Sequence, residues 1–218
     1  MRTFSFPKDQ PLTVLCLGAH SDDIEIGCGG TLLTLAQAYP QLRVVWVVFT
    51  AQDARKQEAL NSANDFLAGL AEKEVVLESF RDGFLPYTGG EVKDFFESLK
   101  KRVVPDVIFT HYRQDLHQDH RLVCDLTWNT WRNHLILEYE IPKYDGDLGV
   151  PNFFVPLQQA TARQKAALLL QHFGTQRSKD WFTEETFLGL MRLRGVECKA
   201  PDKFAEAFYC RKLVLGFA

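Results

Sequence analysis

Residues 12–31 read LTVLCLGAHSDDIEIGCGGT, and the fold follows from how that stretch changes character. Val14, Leu15 and Leu17 belong to a continuous apolar run, the pattern of a strand covered on both faces. The run stops at Gly18-Ala19. His20, Asp22 and Asp23 follow at once, and a glycine-rich helical stretch takes over. A buried strand that ends in three potential metal ligands is an unusual use of core sequence. A second cluster, DLHQDH at residues 115–120, also follows an apolar run.

Working outward, residues 12–17 predict the first strand. Residues 27–38 predict a helix, with Leu32, Leu33, Leu35 and Ala36 at helical spacing and a stop near Tyr39-Pro40. The segment RVVWVVFT at 43–50 is a strand rich in β-branched and aromatic residues. Residues 54–70 form a helix with Ala59, Leu60, Ala63, Phe66 and Leu67 in one stripe. A short strand at 75–77, a turn at 81–83 and a helix at 91–103 follow, the last with Val92, Phe95, Phe96 and Leu99 inward. A strand at 107–110, a polar loop at 111–118, a helix at 119–131 and a strand at 135–141 come next. Residues 142–156 are rich in turn-formers and read as a mobile loop. Helices at 161–173 and 183–194 precede a closing segment, 204–215, expected in part as an edge strand.

Strand and helix alternate four times. This predicts an α/β fold: a single Rossmann-like domain over residues 1–218, with a mostly parallel sheet of order 3-2-1-4-5 and helices on both faces. In that order the first and fourth strands are neighbours, and the crevice at their carboxyl ends is where ligands bind. Topology therefore brings His20, Asp22 and Asp23 opposite His117, Asp119 and His120.

Composition narrows the function classes. The chain has 218 residues, 46% apolar and 24% charged, the balance of an ordinary globular protein. A formal net charge of -3 carries no footprint of a nucleic-acid binder. No apolar run approaches the roughly 18–20 residues that cross a bilayer, and the first ten residues lack the apolar core of a secretion signal. Five cysteines, an odd number without a Cys-x-x-Cys pair, argue for reduced thiols and a cytoplasmic location. Oligomeric state is left open, homo-oligomers included.

The ligand set mixes imidazole and carboxylate without thiolate. Two His, one carboxylate and an open position make the catalytic zinc pattern, and the same donors suit ferrous iron, cobalt or manganese. Zinc lowers the pKa of a bound water towards about 7. A neighbouring carboxylate then serves as base and a second His as acid.

These residues carry a family resemblance. The segment HSDDIEIGCGGTL, beginning at His20, resembles the Ala-His-Pro-Asp-Asp signature of the PIG-L or LmbE-like deacetylases, and DLHQDH resembles their His-x-Asp-His signature. The resemblance implies that His20, Asp23 and His120 bind zinc and that Asp22 is the general base. It implies that His117 stabilises the oxyanion or protonates the departing amine, with Asp119 orienting a His. It further implies a small-molecule substrate, an N-acetylated amino sugar or a conjugate of one. Ser21 and Gln118 stand where the family usually has proline, which bears on loop rigidity. The family's Gly-Glu pair and longer loop after the second strand are replaced by a short Thr50-Ala51-Gln52-Asp53. Arg55, at the start of the next helix, is the candidate substrate contact. The stretch Glu206-Ala207-Phe208 also resembles the family and receives no chemistry.

Simpler readings exist for each feature. The Asp22-Asp23 pair would by itself be a polar turn capping a helix, and His117 to His120 a surface helix start. Arg55 would pair with Glu58 in a surface contact worth about 0.2–0.5 kcal/mol. His111 reads as a satisfied structural histidine, His134 and His172 as surface or packing residues, and Trp128, Trp131 and Trp181 as packing. Two other functions compete with the deacetylase. One is a magnesium phosphohydrolase using Asp22, Asp23, Asp115 and Asp119, disfavoured because magnesium prefers an all-oxygen shell. The other is a nucleotide-binding module, disfavoured because acidic residues precede the glycines and repel phosphate.

Overall fold

The computed structural model describes residues 2–214 and 216. At its centre β1 (Leu12–Gly18) runs parallel to β2 (Leu42–Val48) on one side and to β4 (Val107–His111) on the other. β3 (Glu72–Leu77) pairs with β2, and β5 (Leu135–Tyr139) pairs with β4, both parallel. Side chains alternate along β1. Val14 and Cys16 enter the core shared with α1 (Asp23–Ala38), α2 (Asp53–Phe66) and α5 (Gln159–His172). Leu15 and Leu17 enter the opposite core, under α3 (Gly89–Arg102) and α4 (Gln118–Thr130). Helices therefore cover both faces, which is why the strands read as continuous apolar runs.

The expected order 3-2-1-4-5 needs correction. Among the described residues the sheet has seven strands in the order β3-β2-β1-β4-β5-β7-β6. β7 (Phe204–Cys210) is an inner strand, antiparallel to both β5 and β6, and β6 (Phe153–Leu157) takes the edge. The expected edge strand at 204–215 thus lies one place further in, and Leu215 lies outside the described residues. β6 falls partly inside the stretch expected to be a loop. Pro156 conceals it, and an edge position is where a strand accommodates proline. α6 (Glu184–Glu197) packs on β7.

α1 begins at Asp23, not at Gly27, so the glycines lie within the helix, Asp22 is its N-cap residue and Asp23 belongs to its first turn. A Cβ on Gly27 would lie 2.2 Å from Tyr139 Cδ2, and one on Gly30 would lie 2.6 Å from Leu157 Cδ1. The glycines let α1 rest directly on β5 and β6. α2 ends at Phe66, ahead of Gly69 at φ +84°, and not at residue 70. No helix among the described residues is long and apolar enough to cross a membrane. All five cysteines are free thiols, and Cys16, Cys28, Cys124 and Cys198 are buried.

Candidate metal centre and active site

The carboxyl ends of β1 and β4 deliver the two clusters to one place. His20 ends the turn after β1, Asp22 and Asp23 open α1, and His117 caps α4, whose first turn carries Asp119 and His120. His20 Nδ1 lies 3.0 Å from His120 Nε2. Asp23 lies 3.3 Å from His20 Nδ1 through Oδ2 and 3.5 Å from His120 Nε2 through Oδ1. All three residues are buried.

Each donor is turned by a partner behind it. Asp115 Oδ2 is 2.9 Å from His120 Nδ1, which puts the proton on Nδ1 and leaves Nε2 with its lone pair facing the site. His20 Nε2 is 3.1 Å from Asp82 and 3.3 Å from Asp119, which directs the opposite nitrogen inward. Asp119 also accepts hydrogen bonds from the backbone N–H groups of Gly83 (2.7 Å) and Leu85 (3.1 Å), so its carboxylate locks the 82–85 turn against α4. Asp23 accepts the His20 backbone N–H at 2.6 Å.

Two imidazole nitrogens and the two oxygens of one carboxylate converge here, a donor set able to hold a cation. Ligands about 2.0–2.1 Å from a tetrahedral ion lie roughly 3.4 Å from one another, close to the observed 3.0, 3.3 and 3.5 Å. Without a metal, a proton serves. Burial opposes charge on His20, but Asp23, Asp119 and Asp82 outweigh it and hold its pKa well above the usual histidine value. His120 is pushed down to about 3, by burial first and by His111 second. His20 is therefore the donor and His120 the acceptor. Burial would raise Asp23, yet His120, His111 and His20 together hold it well below the carboxylate range. Among the described residues, ligand atoms lie mutually within 4.8 Å in His20–His117–His120, in Asp23–His111–His120 and in His20–Asp82–Asp119, so the expected trio of His20, Asp23 and His120 is divided between the first two groups. His111 Nε2, however, accepts the Ala19 N–H at 2.9 Å, and the ring stacks on His120 at 3.8 Å. The same nitrogen lies 3.2 Å from Asp23 Oδ2, and the buried Nδ1 has no hydrogen-bond partner among the described residues, so the expectation of a satisfied structural histidine holds for one nitrogen only.

Asp22 makes no cap hydrogen bond to the helix. Its Oδ1 instead accepts from Arg55 at 2.8 Å, and Arg55 reaches Asp82 at 3.7 Å. Glu58 bonds to Thr175, so the simple Arg55–Glu58 pair is replaced by a contact to the site. Burial raises the Asp22 pKa, and Arg55 opposes the rise. His117 Nδ1 accepts the Asp119 N–H at 3.2 Å, which assigns the proton of the neutral ring to Nε2. Burial, then the charge on His20, keeps its pKa below the usual value.

Sequence reasoning passed over Asp82 and Lys143 and gave Asp115 no orienting role. Asp115 sits two positions before His117 inside the second cluster, a signal that was there to find. Asp82 precedes a glycine turn, and nothing in the sequence around Lys143 points to the site. His172 pairs with Asp65 (2.8 Å) far from the cleft, as expected of a surface residue. Trp131 is core, and Trp128 packs under Arg211 and Lys212.

Glu25, in the first turn of α1, is fully buried with neither carboxylate oxygen hydrogen-bonded. Burial holds its pKa well above the usual range, against a smaller opposing influence of Ser62. At low pH the folded and unfolded chains both keep this proton. As pH rises the unfolded chain releases it first, so the folded state loses stability. Glu25→Gln removes that loss. In urea unfolding of chelator-treated protein, its stability relative to wild type is expected to improve as pH rises above about 4.5. A pH-independent difference would exclude a neutral Glu25.

With this geometry in hand, comparison with known proteins is decisive at family level. The family model for PIG-L, GlcNAc-PI de-N-acetylase, matches residues 15–131, which contain both clusters. The chain belongs to the PIG-L family. Membership makes it a hydrolytic enzyme of the deacetylase class, acting on amides. A relative from Escherichia coli K12, the uncharacterized deacetylase YaiS, is 28% identical over 172 residues, covering 73% of this chain and 89% of the relative. The N,N'-diacetylchitobiose deacetylase of Pyrococcus horikoshii superposes with a TM-score of 0.71 at 22% identity, over 94% of this chain and 87% of the other. GalB, the 4-carboxy-2-hydroxymuconate hydratase of Pseudomonas putida KT2440, superposes with a TM-score of 0.76 at 16% identity, over 95% and 100%. A deacetylase and a hydratase on one scaffold show that these likenesses establish the fold, while the chemistry rests on the site.

Proposed function

We propose that residues 1–218 form one catalytic domain, a zinc-dependent hydrolase that removes the acetyl group from an N-acetylated amino sugar or sugar conjugate. The observation that carries the metal is the convergence of His20 Nδ1, His120 Nε2 and the Asp23 carboxylate at 3.0–3.5 Å, each backed by an orienting group. The sugar substrate rests on the family's own description and on the chitobiose deacetylase with the same fold. The donors also suit ferrous iron, cobalt or manganese. The magnesium phosphohydrolase is disfavoured: Asp22 is engaged by Arg55, Asp115 by His120 and Lys143, and Asp119 by backbone N–H groups.

A divalent ion held by His20, Asp23 and His120 supplies Lewis acidity and brings the pKa of a water towards about 7. The remaining chemistry belongs to side chains. Asp22, buried and raised in pKa, accepts the proton of the attacking water, with Arg55 fixing its carboxylate. His117 keeps its proton on Nε2 and donates it as a hydrogen bond to the negative oxygen of the tetrahedral intermediate. Asp22, now protonated, returns its proton to the departing amine nitrogen. Arg55 lies at the rim and also contacts substrate.

The test is acetate release from a panel of N-acetylhexosamine conjugates, with and without chelator. Acetate and free amine are expected in equal amounts, lost on chelation and restored by zinc. Elemental analysis of His120→Ala is expected to show loss of metal. Turnover that ignores chelator, or no release from any conjugate, would overturn the proposal.

A further inference from the structure

The 142–152 segment reaches the metal centre through one buried ammonium. Lys143 Nζ lies 3.0 Å from Asp115 Oδ2, the same oxygen that faces His120 Nδ1 at 2.9 Å. On its other side Lys143 bonds Asp147, and Asp145 stands 4.0 Å away. The Lys143 side chain is 9% exposed, Asp115 3% and Asp147 5%, so these charges rely on one another and not on water. Asp147 also accepts the Leu116 backbone N–H at 2.7 Å. The segment thus grips the 115–117 loop at two points, one to a side chain and one to the main chain.

We propose that Lys143 is a positioning residue for the metal centre. It fixes Asp115, Asp115 fixes the Nδ1–H tautomer and ring angle of His120, and the 142–152 segment is thereby tied to the affinity of the site. The inference rests on the metal reading of His20, Asp23 and His120. Asp115 Oδ1 is held by the His117 backbone N–H at 2.8 Å, so Lys143 acts on Oδ2, the oxygen that faces His120, and without the ammonium that oxygen and Asp147 lose their counter-charge. Groups that orient a metal-bound histidine typically contribute 10–100-fold to affinity. Lys143 adds a further link, supplied by a loop distant in sequence from both ligand clusters.

The experiment is cobalt titration of metal-depleted full-length protein, followed by visible absorption, for wild type, Lys143→Met, Lys143→Arg and Asp115→Asn. Thermal unfolding of the metal-free proteins tests folding separately. Lys143→Met and Asp115→Asn are expected to weaken cobalt binding by about 10–100-fold, and Lys143→Arg to retain most of the affinity. In the cobalt protein, wild type and Lys143→Arg are expected to show an exchangeable, hyperfine-shifted imidazole N–H resonance that broadens or disappears in Lys143→Met. If Lys143→Met fails to fold, Asp147→Asn supplies the same readout, because it removes the group that holds Lys143 from behind. Wild-type affinity and an intact N–H resonance in folded Lys143→Met or Asp147→Asn would overturn the proposal. Failure of wild type itself to bind cobalt would instead overturn the metal reading.

Discussion

Asp22→Asn is expected to lower kcat by about 10²–10⁴-fold, the range for loss of a positioned general base, while metal content stays near wild type. Asparagine keeps the shape of the side chain and leaves Arg55 an oxygen to bond, so the 2.8 Å contact has a substitute. What disappears is the ability to accept a proton. Asp23→Asn should behave differently, because Asp23 faces both histidines and its loss removes a ligand. Paired kcat values and metal contents of the two variants separate base from ligand. Full activity in Asp22→Asn would show that another group takes the proton. Loss of metal in the same variant would show that Asp22 is itself a ligand.

Glu206→Ala is expected to destabilise the fold by about 3–5 kcal/mol, the usual consequence of leaving one half of a buried ion pair uncompensated. Glu206 accepts from Gly30 N (2.8 Å), Thr31 N (2.7 Å), Thr31 Oγ1 (2.6 Å) and Lys165 Nζ (2.6 Å). Lys165 in turn donates to Ile26 O at 2.6 Å. One carboxylate thus ties β7 to the middle of α1, the helix that opens on Asp22 and Asp23. The C-terminal resemblance at Glu206-Ala207-Phe208 thereby acquires a structural meaning: it holds the helix that presents the site. Urea unfolding of metal-free protein measures the effect, and the double variant Lys165→Met with Glu206→Leu should recover much of the loss. A single-variant cost below about 1 kcal/mol would show that Lys165 and the α1 backbone find other partners.

Why parts of this structure were legible in the sequence and others were not follows from the range of the interactions. β1, β2 and β4 were visible because each is covered on both faces and reads as an apolar run, whereas the edge strand β3 was legible only at 75–77 because its first half, Glu-Lys-Glu, is charged and largely exposed. β6 was hidden because Pro156 and partial exposure break that pattern in an edge strand. β7 was placed at the wrong position in the sheet because pairing between distant segments leaves no local mark. The glycine-rich helix was legible with the wrong start, and only the structure shows Tyr139 filling the space beside Gly27.

The two clusters show the same division. Residue types and their places after β1 and β4 were enough to nominate His20, Asp22, Asp23, His117, Asp119 and His120 and to bring them together, because strand order fixes which loops are neighbours. The sequence by itself determined the crevice and nominated the residues that line it. Only the tertiary structure decided what stands behind each donor: Asp115 and Lys143 behind His120, Asp82 and Asp119 behind His20, and Arg55 on Asp22. These partners come from separate loops of the chain. Hydrogen-bond direction, tautomer and pKa depend on atoms a few ångströms apart, and no spacing along the sequence encodes them.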